Sequence, residues 1–330
     1  MPTIAPRTTD PATLRRLYRD LVRVRMVDER IAELYPEQQM RCPVHLSIGQ
    51  EAVSAGVCAR LERQDWVMSG HRSHGHFLAK GGSLPSMLAE MYGRATGCTG
   101  GKGGSMHLID LEAGFLGAVP IVGSTIPMAV GAAWGARSRG ESRVVVSFFG
   151  EAATEEGVFH EAVNFACLKK LPVIFVCENN LFSVYTPLDV RQPGNREVAD
   201  VARGHGIESV QADGNDTVGV YDLAGWAVDR ARAGQGPTFL EFKTYRWREH
   251  CGPYYDNDIG YRTEAEYLAW REKCPVERFE RDLLASGVVD AQGMTEIRAA
   301  ITRELDEAVA FAKASPFPPD HEMATFTYAE

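Results

Sequence analysis

The chain has 330 residues, 45% of them apolar and 24% charged, with a net charge of −9. That length supports one large domain or two modest ones, and an acidic balance without a basic stripe argues against nucleic-acid binding. No apolar run reaches the roughly 18 residues of a membrane span, the start MPTIAPRTTDPATL lacks a signal-peptide core, and seven scattered cysteines point to a reducing cytoplasm.

Asp10-Pro11 is an N-cap followed by a first-turn proline. Leu14, Leu17, Leu21, Val24, Ile31 and Leu34 then repeat at helical spacing, which predicts a helix to about residue 35. Arg15, Arg16, Arg19, Arg23 and Arg25 read as its solvated face. A second helix is expected over 51–61, a polar His- and Gly-rich segment over 69–83, and a short helix over 84–92. Residues 93–104 hold six glycines in twelve positions and must be loop. From Gly123 a small-residue helix leads into a strand over 143–149, a helix over 154–169 and a strand over 172–177. A strand over 207–211, a helix over 218–233 and a strand over 238–244 continue the alternation. Residues 264–314 read as helical. Continuous apolar strands separated by helices predict an α/β fold, a mainly parallel sheet covered on both faces.

The most informative stretch is GEAATEEGVFHEAVNFACLKKLPVIFVCENN, from Gly150 to Asn180. Ligands of open α/β sheets bind outside the carboxyl ends of strands. Glu151 ends one strand and Asn180 the next, one helix and one strand apart, a crossover that sets two strand ends side by side. A carboxylate, an amide oxygen and a backbone carbonyl facing one cavity suit Mg²⁺, with phosphate oxygens completing the shell. The bland alternative is a strand-turn-helix with a capping acid.

This stretch resembles the thiamine-diphosphate signature, Gly-Asp-Gly followed at a distance by an Asn pair. Together with RIAELY, HLSIGQEA, GHRSHGHFLAKGG, GKGGSMH, IVGSTIP and YRWREH, the chain is similar over roughly residues 12–315 to a known family. That family is the alpha subunit of the dehydrogenase component of 2-oxo acid dehydrogenase complexes, of the pyruvate, branched-chain and acetoin types. The resemblance implies a thiamine-diphosphate-binding fold over 1–330, a helical N-terminal arm over 1–35 and a helical C-terminal region over 262–330. It makes Glu151, Asn180 and the carbonyl of Phe182 the Mg²⁺ ligands. Gly150, Ala152 and Ala153 would meet the diphosphate through backbone, Arg72 through its guanidinium, with His71 beside it. Val122 and Pro120 match contacts to the aminopyrimidine. His45, His250 and Arg246 match catalytic residues, and His250 also a phosphate contact. Two positions depart from the pattern, Glu151 for Asp and Ala152 for Gly. The first adds a methylene at the metal. The second adds a Cβ where backbone approaches phosphate or φ is positive.

His71, His74 and His76 do not have zinc-ligand spacing, and no Cys or acidic partner is near in sequence. GCTGGKGGSMH fails the Walker pattern, with Thr96 at the first glycine and Gly103 after Lys102, so it is expected to be a mobile active-site or contact loop with Ser105 or His107 at the channel. Residues 245–261 read as a loop ordering over the cofactor. The resemblance further implies a beta subunit supplying the pyrimidine half, a tetramer of two alphas and two betas, a 2-oxo acid substrate and a lipoyl acyltransferase as acceptor. Cys251 follows His250 where regulated relatives carry a phosphorylated serine. A thiamine-dependent carboligase or synthase subunit, and a non-catalytic homologue with a disabled metal motif, stay open as alternatives.

Overall fold

A computed structural model describes residues 10–325. The first nine residues of the expected N-terminal arm and the last five of the C-terminal region lie outside it.

Helix α1 (Pro11–Leu34) starts where Asp10 accepts the Thr13 N–H at 2.9 Å, with Pro11 in the first turn. Its apolar stripe is buried, and so is more of its basic set than the sequence suggests. Arg15, Arg16 and Arg19 are exposed, but Arg25 is buried against Glu51 and Arg23 bonds Glu304. After it come α2 (Glu51–Cys58), β1 (Trp66–Ser69), α3 (His74–Ala79), α4 (Leu84–Met91) and β2 (Phe115–Ala118). Then follow α5 (Thr125–Ser138), β3 (Val145–Gly150), α6 (Gly157–Lys169) and β4 (Val173–Asn179). A two-stranded ribbon, β5 (Phe182–Ser183) and β6 (Thr186–Pro187), precedes α7 (Val198–Arg203), β7 (Glu208–Asp213), α8 (Thr217–Arg232) and β8 (Thr238–Lys243).

Six strands form one parallel sheet in the order β2-β1-β3-β4-β8-β7. Alternation along β4 shows why its sequence is apolar throughout. Ile174 and Val176 enter the core under α1, α2 and α8, while Val173, Phe175 and Cys177 enter the core under α5 and α6. The C-terminal helical run is three helices, α9 (Glu264–Arg271), α10 (Pro275–Ser286) and α11 (Ala291–Ala314). Pro275 restarts the second, and Gly287 ends it in a left-handed conformation at φ 67°.

The strand order reverses direction between β1 and β3. One chain path runs outward from β1 to β2, the other from β3 through β4. Such a switch point leaves a crevice at the carboxyl ends of the two strands, where ligands bind in this architecture.

Candidate active site

A cleft opens at that crevice, lined by Ser69 at the end of β1 and Gly70 just beyond it, by Phe148–Gly150 of β3, and by Glu178 and Asn180 at the end of β4. Gly150 and Glu178 are register neighbours, so the two halves of the Gly150–Asn180 motif meet as the crossover requires. Glu151, Ala152, Ala153, Phe182, His71, Arg72, Val122 and His250 also line the cleft.

The local turn after β3 is a 3-10 helix, Glu151–Glu155. Ala152 lies inside it and is not among the residues with positive φ, so its Cβ adds no backbone strain. Gly150 faces open space, since a Cβ built there would meet nothing within 4 Å. The Glu151 carboxyl is nearly inaccessible; burial pushes it up to about 7, against the pull of Arg191. Arg191 Nη2 donates to Glu151 Oε1 at 2.5 Å.

The two asparagines part company at the end of β4. Asn179 Nδ2 donates to Glu241 Oε1 at 2.7 Å, and Glu241 Oε2 accepts the Ala199 N–H, so this amide ties β4 to β8 and α7. Asn180 turns to the cleft, where its Nδ2 donates to Gln50 Oε1 and its Oδ1 accepts the Phe182 N–H, both at 3.2 Å. Leu181 and Val184 flank Phe182 with φ of 74° and 55°. A β-branched residue at positive φ is strained, and strain of this kind persists where the surroundings fix it. Here Arg246 Nη2 holds the Val184 carbonyl at 3.0 Å.

Arg72 is buried and bonds Leu46 O at 2.8 Å and His250 O at 3.3 Å. Burial, then the charge of Arg246, pushes it down to about 9. It is a cation poorly compensated by protein, which is what an anionic ligand needs. His45, His71 and His250 converge beside it, with ring centroids 4.6 to 5.3 Å apart and ligand-type atoms all within 4.8 Å. Burial, with Arg72 next, lowers all three, His71 to about 4 and His250 to about 3. They are therefore neutral at pH 7. Nδ1 of His45 is buried with no hydrogen-bond partner among the described residues.

Three of the expected placements stand off the cleft lining. Arg246 does not reach the cleft wall; its guanidinium is buried against Val184 O, Arg248 O and Tyr261 Oη, where it shapes the lining loop. Pro120 is not a wall residue either, although its neighbours Val119 and Ile121 are. Ser105 and His107 are away from the channel. The buried Ser105 Oγ meets His74 Nε2 at 2.6 Å, His74 Nδ1 meets Asp28 Oδ1 at 2.7 Å, and His107 is exposed. The glycine run holds no external anion, because Glu90 fills it. Its two carboxylate oxygens accept N–H groups of Thr99, Gly101, Gly103 and Gly104 at 2.7 to 3.0 Å.

Sequence reasoning missed Gln50, His76, Glu178 and Arg191. His76 stacks on Phe148, bonds Ser69 Oγ at 2.8 Å and pairs with Glu178 at 3.2 Å on the cleft floor. The Glu before the Asn pair was a visible signal; for Arg191 there was none.

Fold and site together define an α/β protein with a ligand-sized cleft, bordered by a buried arginine, at the switch point of a parallel sheet. The chain belongs to the dehydrogenase E1 component family, whose model matches residues 19–320. It is 38% identical over 313 residues to the alpha subunit of an acetoin:2,6-dichlorophenolindophenol oxidoreductase of Bacillus subtilis, covering 94% of this chain and 92% of that one. It is 36% identical to the pyruvate dehydrogenase E1 alpha subunit of Porphyra purpurea, covering 95% and 92% of the two chains. The Zymomonas mobilis counterpart is 37% identical, covering 96% and 88%. No helix among the described residues is long and apolar enough to cross a membrane.

Proposed function

We propose that this chain is the alpha subunit of a thiamine-diphosphate-dependent 2-oxo acid or acetoin dehydrogenase, working in the cytoplasm with a beta subunit. The observation that carries the reading is the convergence of Glu151, Asn180, Phe182, Arg72 and His250 on one cleft at the sheet's switch point. The donor set fits a Mg²⁺-bound diphosphate, with a carboxylate, an amide oxygen and a carbonyl for the metal, and a guanidinium for phosphate. Gly150 leaves the open space that close backbone approach requires.

When bound, thiamine diphosphate supplies the carbanion-stabilising chemistry that cleaves a 2-oxo acid or acyloin. This chain's part is to hold and orient it. Glu151, Asn180 and the Phe182 carbonyl would hold the metal, Arg72 and His250 the phosphates, the backbone at Gly150–Ala153 the diphosphate, and Val122 the aminopyrimidine. His71 would stand beside Arg72 at the phosphates, and His45, whose Nδ1 is buried without a partner among the described residues, would meet the reacting groups. Arg246 acts through the loop it anchors.

The cleft is open on the side of Ile121 and Val122, and exposed apolar residues continue along α5 and α6 through Met128, Trp134 and Leu168. We assign this face to the beta subunit in a tetramer of two alphas and two betas, with a lipoyl acyltransferase as the acyl acceptor. Co-expression with a beta subunit should give Mg²⁺- and cofactor-dependent decarboxylation of a 2-oxo acid, or cleavage of acetoin, with an artificial electron acceptor. No turnover of any such substrate sinks the reading, and carboligation without need of lipoamide would replace it with a synthase.

A further inference from the structure

Arg191 stands behind Glu151, outside the cleft lining, and has no part in the proposed reaction. It follows the β5–β6 ribbon and a single 3-10 turn, Leu188–Val190. All three of its guanidinium nitrogens are engaged. Nε donates to Thr186 O at 3.3 Å, Nη1 to Glu155 Oε1, and Nη2 to Glu151 Oε1 at 2.5 Å. Glu155 Oε1 also accepts from Gln192 Nε2 at 3.0 Å. The side chains of Arg191 and Glu151 are only 11% and 2% exposed, so water screens the pair poorly.

We propose that Arg191 is a resident counter-cation that competes with the divalent metal for Glu151, so that metal and diphosphate load only as the Glu151–Arg191 pair gives way. The inference rests on the reading of Glu151 as a metal ligand. A guanidinium and a divalent cation on one poorly solvated carboxylate repel each other, so each weakens the other's hold. The glutamate side chain, one methylene longer than aspartate, is what spans to Arg191 here. Glu155 gives the arginine a second anchor, so it keeps a partner when Glu151 turns to the metal. Two carboxylates and one guanidinium leave a single net negative charge, where Glu151 alone would present the same charge without a competitor.

The test uses the alpha–beta complex with thiamine diphosphate, with free Mn²⁺ counted by electron paramagnetic resonance. Arg191→Gln removes the charge and, with its shorter side chain, the reach to Glu151, and it should tighten Mn²⁺ binding tenfold or more. Arg191→Lys should stay near wild type. Glu155→Gln, which leaves the guanidinium wholly to Glu151, should weaken Mn²⁺ several-fold. Equal or weaker binding in a folded Arg191→Gln overturns the inference. If that variant does not fold, unchanged or tighter binding in Glu155→Gln overturns it. Saturable Mn²⁺ binding that survives Glu151→Gln, or no saturable binding in any variant, overturns the metal-site reading and the inference with it. Binding lost in Glu151→Gln but equal in Arg191→Gln overturns the inference alone.

Discussion

Arg72 carries its charge where little water reaches it, and among the described residues its hydrogen bonds go to two backbone carbonyls, of Leu46 and His250. Hydrogen bonds to charged groups contribute about 1.5–3 kcal/mol. Arg72→Ala should therefore raise the dissociation constant for thiamine diphosphate by about 10- to 100-fold in a fluorescence titration of the complex, and an unchanged constant would remove Arg72 from the phosphate site. The histidines beside it set a pH dependence. His71 and His250 are held at about 4 and about 3, below the ordinary value near 6.5. As pH falls below 6.5 the unfolded chain takes up these protons and the folded chain does not until near pH 4 and pH 3. Stability that is full above pH 6.5 is therefore lost across that window, by up to about 1.4 kcal/mol per histidine for each whole pH step. Urea midpoints at pH 7.5 and pH 5 should record the loss, and His71→Gln should flatten it. A slope identical in wild type and variant counts against this account. The resemblance assigns His45, His71 and His250 to one cofactor site, but their direct ring contact was not legible in the sequence, because it joins two loops and a strand end far apart along the chain.

At the level of elements, the glycine loop shows how a motif is decided by one distant side chain. Backbone N–H groups of consecutive glycines form an anion nest wherever they point inward. In this fold α4 delivers Glu90 into the nest, and the site is filled from within. Burial pushes the carboxyl up, but the bonds from Thr99 and the loop N–H groups outweigh it and hold it below its ordinary value. Glu90→Gln should cost about 2–4 kcal/mol in denaturant unfolding, since it removes the charge and leaves buried donors short of acceptors. A loss under about 0.5 kcal/mol, the usual range of a neutral surface change, would show that the loop does not depend on the carboxylate. The long helices and the continuous apolar strands were readable from local periodicity. The four-residue strands β1 and β2 and the helix α3 were not. Trp66–Ser69 is too short to alternate, and the structural part expected of His74 and His76 gains its partners, Asp28, Ser105, Ser69 and Glu178, only in the folded chain.

Across the whole molecule the cleft is one-sided. Along α5 the exposed positions Met128, Gly131 and Trp134 recur at helical spacing, and a Cβ built on Gly131 meets nothing within 4 Å. Such a face, apolar with a gap at Gly131 between two large side chains, suits the close approach of a partner. Trp134→Glu should leave the circular dichroism of the isolated chain unchanged and reduce the beta subunit recovered with it on size-exclusion chromatography. Full recovery would place the beta subunit on another face.

The α/β class, the parallel sheet and the place of the cofactor motif are all legible from the residues alone, because strand apolarity, helix caps and the Gly150–Asn180 spacing are written within a few turns of chain. Glu151 and Ala152 stand out there as departures, but without their meaning. That meaning comes from the folded chain, in which Ala152 sits in a 3-10 turn that accepts a Cβ and Glu151 faces Arg191 from 40 residues away. Local propensity acts through neighbouring dihedrals, whereas a charge pair depends on where the sheet brings two distant turns together.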